Sequence, residues 1–436
     1  MKAMKTLVSI LLAGALTASV FSGCGKEGEG GTSGDAKSGE TTKITFWKAP
    51  HASNEAELWQ PVFDKFAEEH PEIELEFLVT PWESWNEKYS AAFAGGTPPD
   101  VSYMTEGFPN FVAAGQLEDL TPYITDELKD KYTDALWSSG EYDGVMARVP
   151  FLNLTSIVFY NKALLEADGV EIPQTWDELL AAAQTLTKDT DGDGKTDQWG
   201  YFLNHFTGEI SIHQTAPYIY QSGGTFLNED ETALGFNNEE GIRGLRFVTD
   251  LMVKYKVAPA LDDYSAEEAQ QLFYNGKVAM FADQCQAGSA IKTNAPDLDF
   301  GAFQMPAGPN PDEAMSRANY GGNGGLSIAS ASKVKDQAWT LIEFLTLEEN
   351  GAIYLKANNM LDASAEVSKE MWGDDEIMSV AADAVPSAYP VPTDPRWFSQ
   401  VDPVIKLMIE EILRGTKDVE TAVADADAQV KEILAQ

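Results

Sequence analysis

Asp189-Thr190-Asp191-Gly192-Asp193-Gly194-Lys195-Thr196-Asp197 is the stretch of this chain whose residue types and spacing speak most directly of chemistry. Carboxylates at positions 1, 3, 5 and 9, with glycine at 6, have the spacing of an EF-hand calcium loop, where hard oxygen ligands surround the ion. The carbonyl of Lys195 would be the position-7 ligand. Gly200 stands at position 12, where a bidentate glutamate belongs, so that ligand must come from elsewhere. Four carboxylates this close repel one another without a cation, so calcium is expected here as a structural ion. The alternative is a solvated acidic turn. Other reactive patterns are missing. The four histidines, His51, His70, His205 and His213, lack zinc-ligand spacing. There is no G-x-S-x-G nucleophile motif and no phosphate loop.

The charge balance excludes some partners. Lys and Arg number 30 against 69 Asp and Glu, for a net charge of -39. Such a surface repels nucleic acid, whose affinity comes mostly from phosphate neutralisation. It also argues against docking by charge onto anionic lipid. The acidity itself is best read as solubility.

The N-terminus carries an address. Lys2 and Lys5 precede a mainly apolar run, Leu7 to Phe21, which ends at Ser22-Gly23-Cys24. The run is too short to span a membrane, which takes about 20 apolar residues, and fits a signal-peptide core. Small residues then Cys resemble a bacterial lipobox, with Phe21 where Leu is usual. Residues 1–23 are therefore expected to be a signal peptide and Cys24 the lipidated first residue of the mature chain. Cleavage near Ala18, leaving Cys24 a free thiol, is the alternative. Residues 24–42 read as a disordered Gly/Ser-rich tether with an r.m.s. span of roughly 20–25 Å. Cys285 is then left without an intrachain partner and is expected as a small buried hydrophobe.

Alternating strands and helices position whatever chemistry the body carries. Ile44 to Trp47 reads as a strand. Glu55 to His70 reads as a helix with Leu58, Trp59, Val62, Phe63 and Phe66 on one stripe, stopped by Pro71. Ile73, Leu75, Phe77 and Val79 alternate as in a strand. Trp82 to Ala94 is a second helix and Asp100 to Met104 a short strand, an order that implies a parallel sheet covered by helices. Further on, Ser156 to Tyr160 is a strand, and Thr175 with Glu178 forms a capping box for a helix from Trp176 to Thr187. Helices are expected over 162–168, 239–255, 265–275, 334–347, 401–414 and 418–435, and strands over 278–282 and 326–329.

The motifs fall in a recognisable order. Phe159-Tyr160-Asn161-Lys162, Pro173-Gln174-Thr175-Trp176-Asp177-Glu178-Leu179 and Phe273-Tyr274-Asn275-Gly276-Lys277-Val278-Ala279-Met280 resemble segments of bacterial sugar-binding proteins. Gly321-Gly322-Asn323-Gly324-Gly325-Leu326-Ser327-Ile328 is similar to their Gly-rich lead into a strand. Ala338-Trp339 through Phe344-Leu345-Thr346 to Glu348-Glu349 is similar to their later helix. The resemblance, from about Lys43 to the C-terminus, is to the extracellular solute-binding proteins of family 1. This is the maltose-binding-protein-like group, which delivers sugars to ABC importers. It implies an α/β fold of the type II periplasmic-binding-protein kind, two discontinuous lobes joined by hinge strands. Lobe one would be 43–153 plus 323–366, and lobe two 154–322 plus 367–436. The crossings would fall near Asn153 to Thr155, Gly321 to Gly324 and Ala365 to Ser368. It further implies a monomer without enzymatic activity on the extracellular face of a Gram-positive type membrane. The lipid would be its only membrane contact, and a sugar and the importer's permease subunits its partners.

A sugar presents apolar C–H faces rimmed by hydroxyls, so its site needs aromatic plates with planar donors and acceptors. The 10 Trp, 15 Tyr and 21 Phe supply plates in number. Cleft residues lie past the carboxyl ends of parallel strands. Trp47, His51, Tyr103, Glu106, Asn153, Asp283, Gln286, Tyr320 and Asn323 meet that test. Trp82 and Trp85 by the second helix, and Trp372 and Trp397 in lobe two, are further candidates. For each tryptophan the alternative is core or rim packing. The family often has a Trp after the segment matching Ala279-Met280, where this chain has Gln284-Cys285-Gln286.

Two other functions remain open. A secreted glycoside hydrolase would use paired acids about 5–9 Å apart, and the sequence singles out no such pair. A receptor for a non-sugar solute such as a peptide is the other; a metal receptor would want His/Cys clusters that are absent.

Overall fold

The first strand shows how local pattern becomes structure. β1 (Thr42–Lys48) alternates, burying Ile44, Phe46 and Lys48 on one face. The helix Glu55–Glu69 lies over that face with Glu55, Trp59, Val62 and Phe66 buried, the spacing of one helical stripe. The computed structural model describes residues 41–203, 214–261, 263–264, 266–389 and 391–436. The signal peptide, Cys24, the tether up to residue 40, His205 and His213 lie outside the described residues.

β2 (Ile73–Val79) and β3 (Val101–Met104) flank β1 and run parallel to it. A small hairpin, β4 (Glu141–Tyr142) and β5 (Val145–Met146), precedes the long β6 (Val149–Asn161). Then come β7 (Met280–Gln284), β8 (Phe300–Phe303), β9 (Asn319–Ile328), β10 (Leu361–Asp362) and β11 (Ala388–Tyr389). The order across the sheet is β10-β6-β9-β3-β1-β2. β9 is antiparallel to both β3 and β6, so the sheet is mixed rather than wholly parallel as the sequence suggested.

β6 and β9 change partners along their length. Val149 to Thr155 of β6 pair with β9, while Ser156 to Asn161 pair with β7 and β8. At the far end of β9, Asn319 and Tyr320 pair with β11. Asn153 faces Asn323 and Thr155 faces Gly321 in the β6–β9 register.

The glycine-rich segment is not a lead into a strand but part of one, since β9 starts at Asn319. A Cβ on Gly324 would run into the Tyr103 phenol, and one on Gly325 into the Val149 carbonyl. These glycines mark close approach, which sequence periodicity does not register.

Helix punctuation follows local chemistry. Thr175 Oγ1 accepts from the Glu178 N–H and caps Trp176–Leu186, while Glu178 Oε2 accepts from the Gln174 N–H, one residue before the cap. Asn161 caps Lys162–Asp168, and Gly169 ends it at φ 63°, a left-handed cap. Helices Glu239–Val253, Ala266–Tyr274, Lys335–Thr346, Asp402–Leu413 and Val419–Leu434 lie where the periodicity placed them. One core gathers Trp176, Tyr218, Leu245, Trp397 and Ile409, and another Phe46, Trp59, Phe151, Leu341 and Tyr354. Cys285 is buried in the second, and its thiol is pushed up to about 12 by that burial. No helix of the described residues is long and apolar enough to cross a membrane.

Candidate functional site

The carboxyl ends of β1 and β3 lie side by side and gather polar and aromatic groups. β1 delivers Lys48, which reaches back into the core. Its ammonium donates to the Ala49 carbonyl at 2.9 Å, to Glu55 Oε1 at 2.6 Å and to His51 Nδ1 at 2.7 Å. Glu55 Oε1 also accepts from Trp59 Nε1 (2.9 Å) and the Tyr354 hydroxyl (2.7 Å), and its Oε2 from the N–H groups of His51 and Ala52. Burial pushes the Glu55 carboxyl up, but the Lys48 charge and these hydrogen bonds outweigh it and hold it below its ordinary value. Burial and the Lys48 charge hold the His51 imidazole well below its ordinary value.

His51 is half-buried between two rings. Its ring sits edge-on to Tyr103 (5.4 Å between centroids) and to Trp82 (5.6 Å). Trp82 is 42% exposed, which leaves a face open to a ligand, and its Nε1 donates to the Pro50 carbonyl. Trp47, half-buried on β1, packs edge-on against Tyr89 at 5.7 Å.

Tyr103 joins this group to a second one on β9. Its phenol lies against Gly324, the neighbour of Asn323. Glu106, just past β3, accepts from the Asn323 N–H at 2.9 Å and from the Tyr320 hydroxyl at 3.4 Å. Arg148 donates to Asn323 Oδ1 at 2.6 Å, to its carbonyl at 3.2 Å and to the Ser139 carbonyl at 2.6 Å. Buried Asn153 pairs with Asn323 across the strands, and its Oδ1 has no hydrogen-bond partner among the described residues. On β7, Gln284 lies beside Gly322; Asp283 Oδ1 accepts from its N–H, and its Oε1 accepts from Gln286 Nε2 at 2.9 Å.

The structure thus brings His51, Trp82, Tyr103, Glu106, Asn153, Tyr320 and Asn323 into one continuous set, with Trp47 at its edge and Asp283 and Gln286 reached through Gln284. The other three tryptophans are core residues, as the packing alternative held. Trp85 (8% exposed) packs tilted against Tyr89, Trp372 (9%) donates to the Met360 carbonyl, and Trp397 (0%) packs against Phe226. Lys48, Glu55, Arg148 and Tyr354 were not foreseen. Lys48 had a signal: it occupies the inward position of β1's alternation.

The acidic loop partly gathers. Asp189, Asp191 and Asp193 are exposed and offer ligand atoms within 4.8 Å of one another. Asp189 accepts from the N–H groups of Gly192 and Gly194, which hold its carboxyl below the usual range. The Lys195 N–H donates to Asp193 Oδ1 at 2.8 Å. Asp197 departs from the expected ligand set. It accepts from the N–H and hydroxyl of Thr190 and sits 3.6 Å from Lys277 Nζ, which ties the two ends of the loop together.

The family model for bacterial extracellular solute-binding proteins matches residues 51–352. The diacetylchitobiose-binding protein of Streptomyces coelicolor is 24% identical over 445 residues, covering 99% of each chain. A maltooligosaccharide ABC transporter solute-binding lipoprotein of Streptococcus pneumoniae is 23% identical over 359 residues, 80% of each chain. The crystal structure of an ABC transporter solute-binding protein from Thermotoga lettingae, bound with α-D-tagatose, superposes with a TM-score of 0.78. That pair is 25% identical, over 90% of this chain and 100% of that one. The fold is the two-lobe type II periplasmic-binding-protein fold, with discontinuous lobes joined by hinge strands. This chain belongs to the bacterial extracellular solute-binding proteins.

Proposed function

We propose that this protein binds a neutral sugar, an oligosaccharide, between its two lobes and delivers it unchanged to the permease subunits of an ABC importer. The observation that carries this reading is the set at the ends of β1 and β3. There the half-exposed Trp82 and the rings of His51 and Tyr103 stand beside the planar polar groups of Glu106 and Asn323. Aromatic faces for C–H patches and planar acceptors for hydroxyls are what a sugar requires. The sugar ligands named for the Streptomyces, Streptococcus and Thermotoga proteins support the same class. We take the lobes as 43–153 with 323–366 and 154–322 with 367–436, a division supported by the partner changes of β6 after Thr155 and of β9 after Tyr320, which lie near two of the crossings.

The test is a tryptophan-fluorescence titration against a panel of oligosaccharides, with product analysis of each mixture. Saturable binding without turnover is expected. Hydrolysis products would bring forward the glycosidase, and silence across the panel a non-sugar solute.

Two attachments complete the reading. Cys24 carries a lipid that holds the monomer at the outer face of the membrane, supported by its lipobox-like setting and by the lipoprotein name of the Streptococcus relative. Cys24→Ala should release the protein to the soluble fraction. The Asp189–Asp193 loop binds a structural calcium ion, supported by the convergence of its three carboxylates.

A further inference from the structure

We propose that His51 reads its ligand as a donor only, through a neutral Nε2–H, and that Lys48 is the positioning residue that fixes this tautomer. An ammonium has three hydrogens and no lone pair. Those of Lys48 go to the Ala49 carbonyl, Glu55 Oε1 and His51 Nδ1, so Nδ1 accepts and the ring proton sits on Nε2. The Tyr354 hydroxyl, 3.4 Å from the same Nδ1, has its shorter bond to Glu55 Oε1 at 2.7 Å. Among the described residues no protein acceptor meets Nε2.

The groups facing the ring leave no route to a second proton. β1 presents the Lys48 cation, 2.7 Å from Nδ1. The helix Glu55–Glu69 presents Glu55, whose two oxygens are taken by Lys48, Trp59, Tyr354 and the backbone of residues 51 and 52. β3 and the helix Glu348–Ala357 present the neutral phenols of Tyr103 and Tyr354, and Trp82 adds no charge. Burial and the Lys48 charge both disfavour an imidazolium. A lone hydroxyl reads a sugar ambiguously, since it both donates and accepts. A locked Nε2–H asks for an oxygen acceptor and refuses a ligand ammonium, so an amino sugar with a free amine at that position is disfavoured against its hydroxyl or N-acetyl counterpart. This selectivity rests on the reading that the site takes a sugar; the tautomer does not.

The experiment is long-range 1H–15N correlation of the histidine rings in the ligand-free full-length protein from pH 5 to 7, where Lys48 stays an ammonium. The His51 signals are assigned by their loss in His51→Gln. The Nε2–H pattern, unchanged across the range, is expected. In Lys48→Met/Glu55→Gln, which removes both charges together, the ring should titrate and mix tautomers. An Nδ1–H pattern, or titration near the ordinary midpoint in wild type, overturns the proposal. Binding of a neutral sugar found by the panel should be flat over the same pH range. His51→Ala should lose about tenfold, the worth of one hydrogen bond, and His51→Gln, which keeps an N–H, less. Equal affinity in wild type and His51→Ala would remove the reading role. If no sugar binds, the sugar reading falls while the ring measurement still decides the tautomer.

Discussion

Lys48 Nζ lies 2.6 Å from Glu55 Oε1, with the two side chains 0% and 2% exposed. Burying two ions is costly, and their attraction offsets the cost only when every remaining valence is satisfied. Here it is: Ala49, His51, Trp59, Tyr354 and two backbone N–H groups complete the pair. Burial brings Lys48 down to about 8 against the pull of Glu55, so the ammonium persists at neutral pH. The pair stands directly beneath His51 and Tyr103, with the Lys48 ammonium 4.9 Å over the Tyr103 ring.

Breaking the pair on one side should therefore be worse than removing it. Glu55→Leu leaves a buried cation and should cost about 3–5 kcal/mol in urea unfolding. Lys48→Met/Glu55→Leu should recover most of that loss. A double variant as unstable as the single one would show that shape, not charge, governs the site.

Acid should destabilise the protein in two stages. The His51 value is depressed in the folded state, so below the unfolded value of about 6.5 only the unfolded chain takes up the proton, and stability falls as pH falls. Glu55 is also depressed; its contribution is present above 4.5 and is lost as pH drops through its folded value. Melting temperature against pH should show a shallower decline between 6.5 and 5 in His51→Gln than in wild type. Parallel curves would mean that other groups carry the first stage.

Calcium should raise the melting temperature through the acidic loop. An ion binding only the folded state at about 100 times its Kd adds about 2.7 kcal/mol. Chelation should remove the increment, and Asp191→Ala should abolish the response. Asp197→Asn should lower melting with or without calcium, because Asp197 holds Thr190 and faces Lys277 rather than joining the three acids. Identical melting in chelator and in excess calcium would count against the site.

The elements were legible where periodicity and caps agreed, as in the helix Trp176–Leu186 under Thr175. They were least legible where backbone approach decides, as in β9, whose glycines admit Tyr103 and Val149. The strand-end rule pointed to His51 and Glu106, which lie just past the parallel β1 and β3, because parallel topology is written in the order of elements; Tyr103 stands within β3, and Asn323 stands inside the antiparallel β9, where that rule does not apply. It could not separate Trp82 from Trp397: both are large rings near element ends, and only tertiary packing exposes one at 42% and closes the other at 0%. Charged groups inside the core escaped because inward position and charge are normally opposed, and the exception at Lys48 is satisfied by partners remote in sequence such as Tyr354, through Glu55.

That difference between two tryptophans can be read out directly. Trp82 leaves a face open and is fixed by its bond to Pro50, so Trp82→Ala should leave unfolding nearly unchanged and weaken sugar binding. Covering about 60 Å² of that face is worth about 1.5 kcal/mol, or roughly tenfold in affinity. Trp397 fills the core beside Phe226, with centroids 4.7 Å apart, and contributes no open face. Trp397→Ala should cost about 3–5 kcal/mol of stability through the cavity it leaves. The affinity of the fraction still folded should stay near wild type. Urea unfolding and sugar titration of both variants give four numbers. A large affinity loss in a stably folded Trp397→Ala would return that residue to the ligand site, and unchanged affinity in Trp82→Ala would remove the plate on which the sugar reading leans.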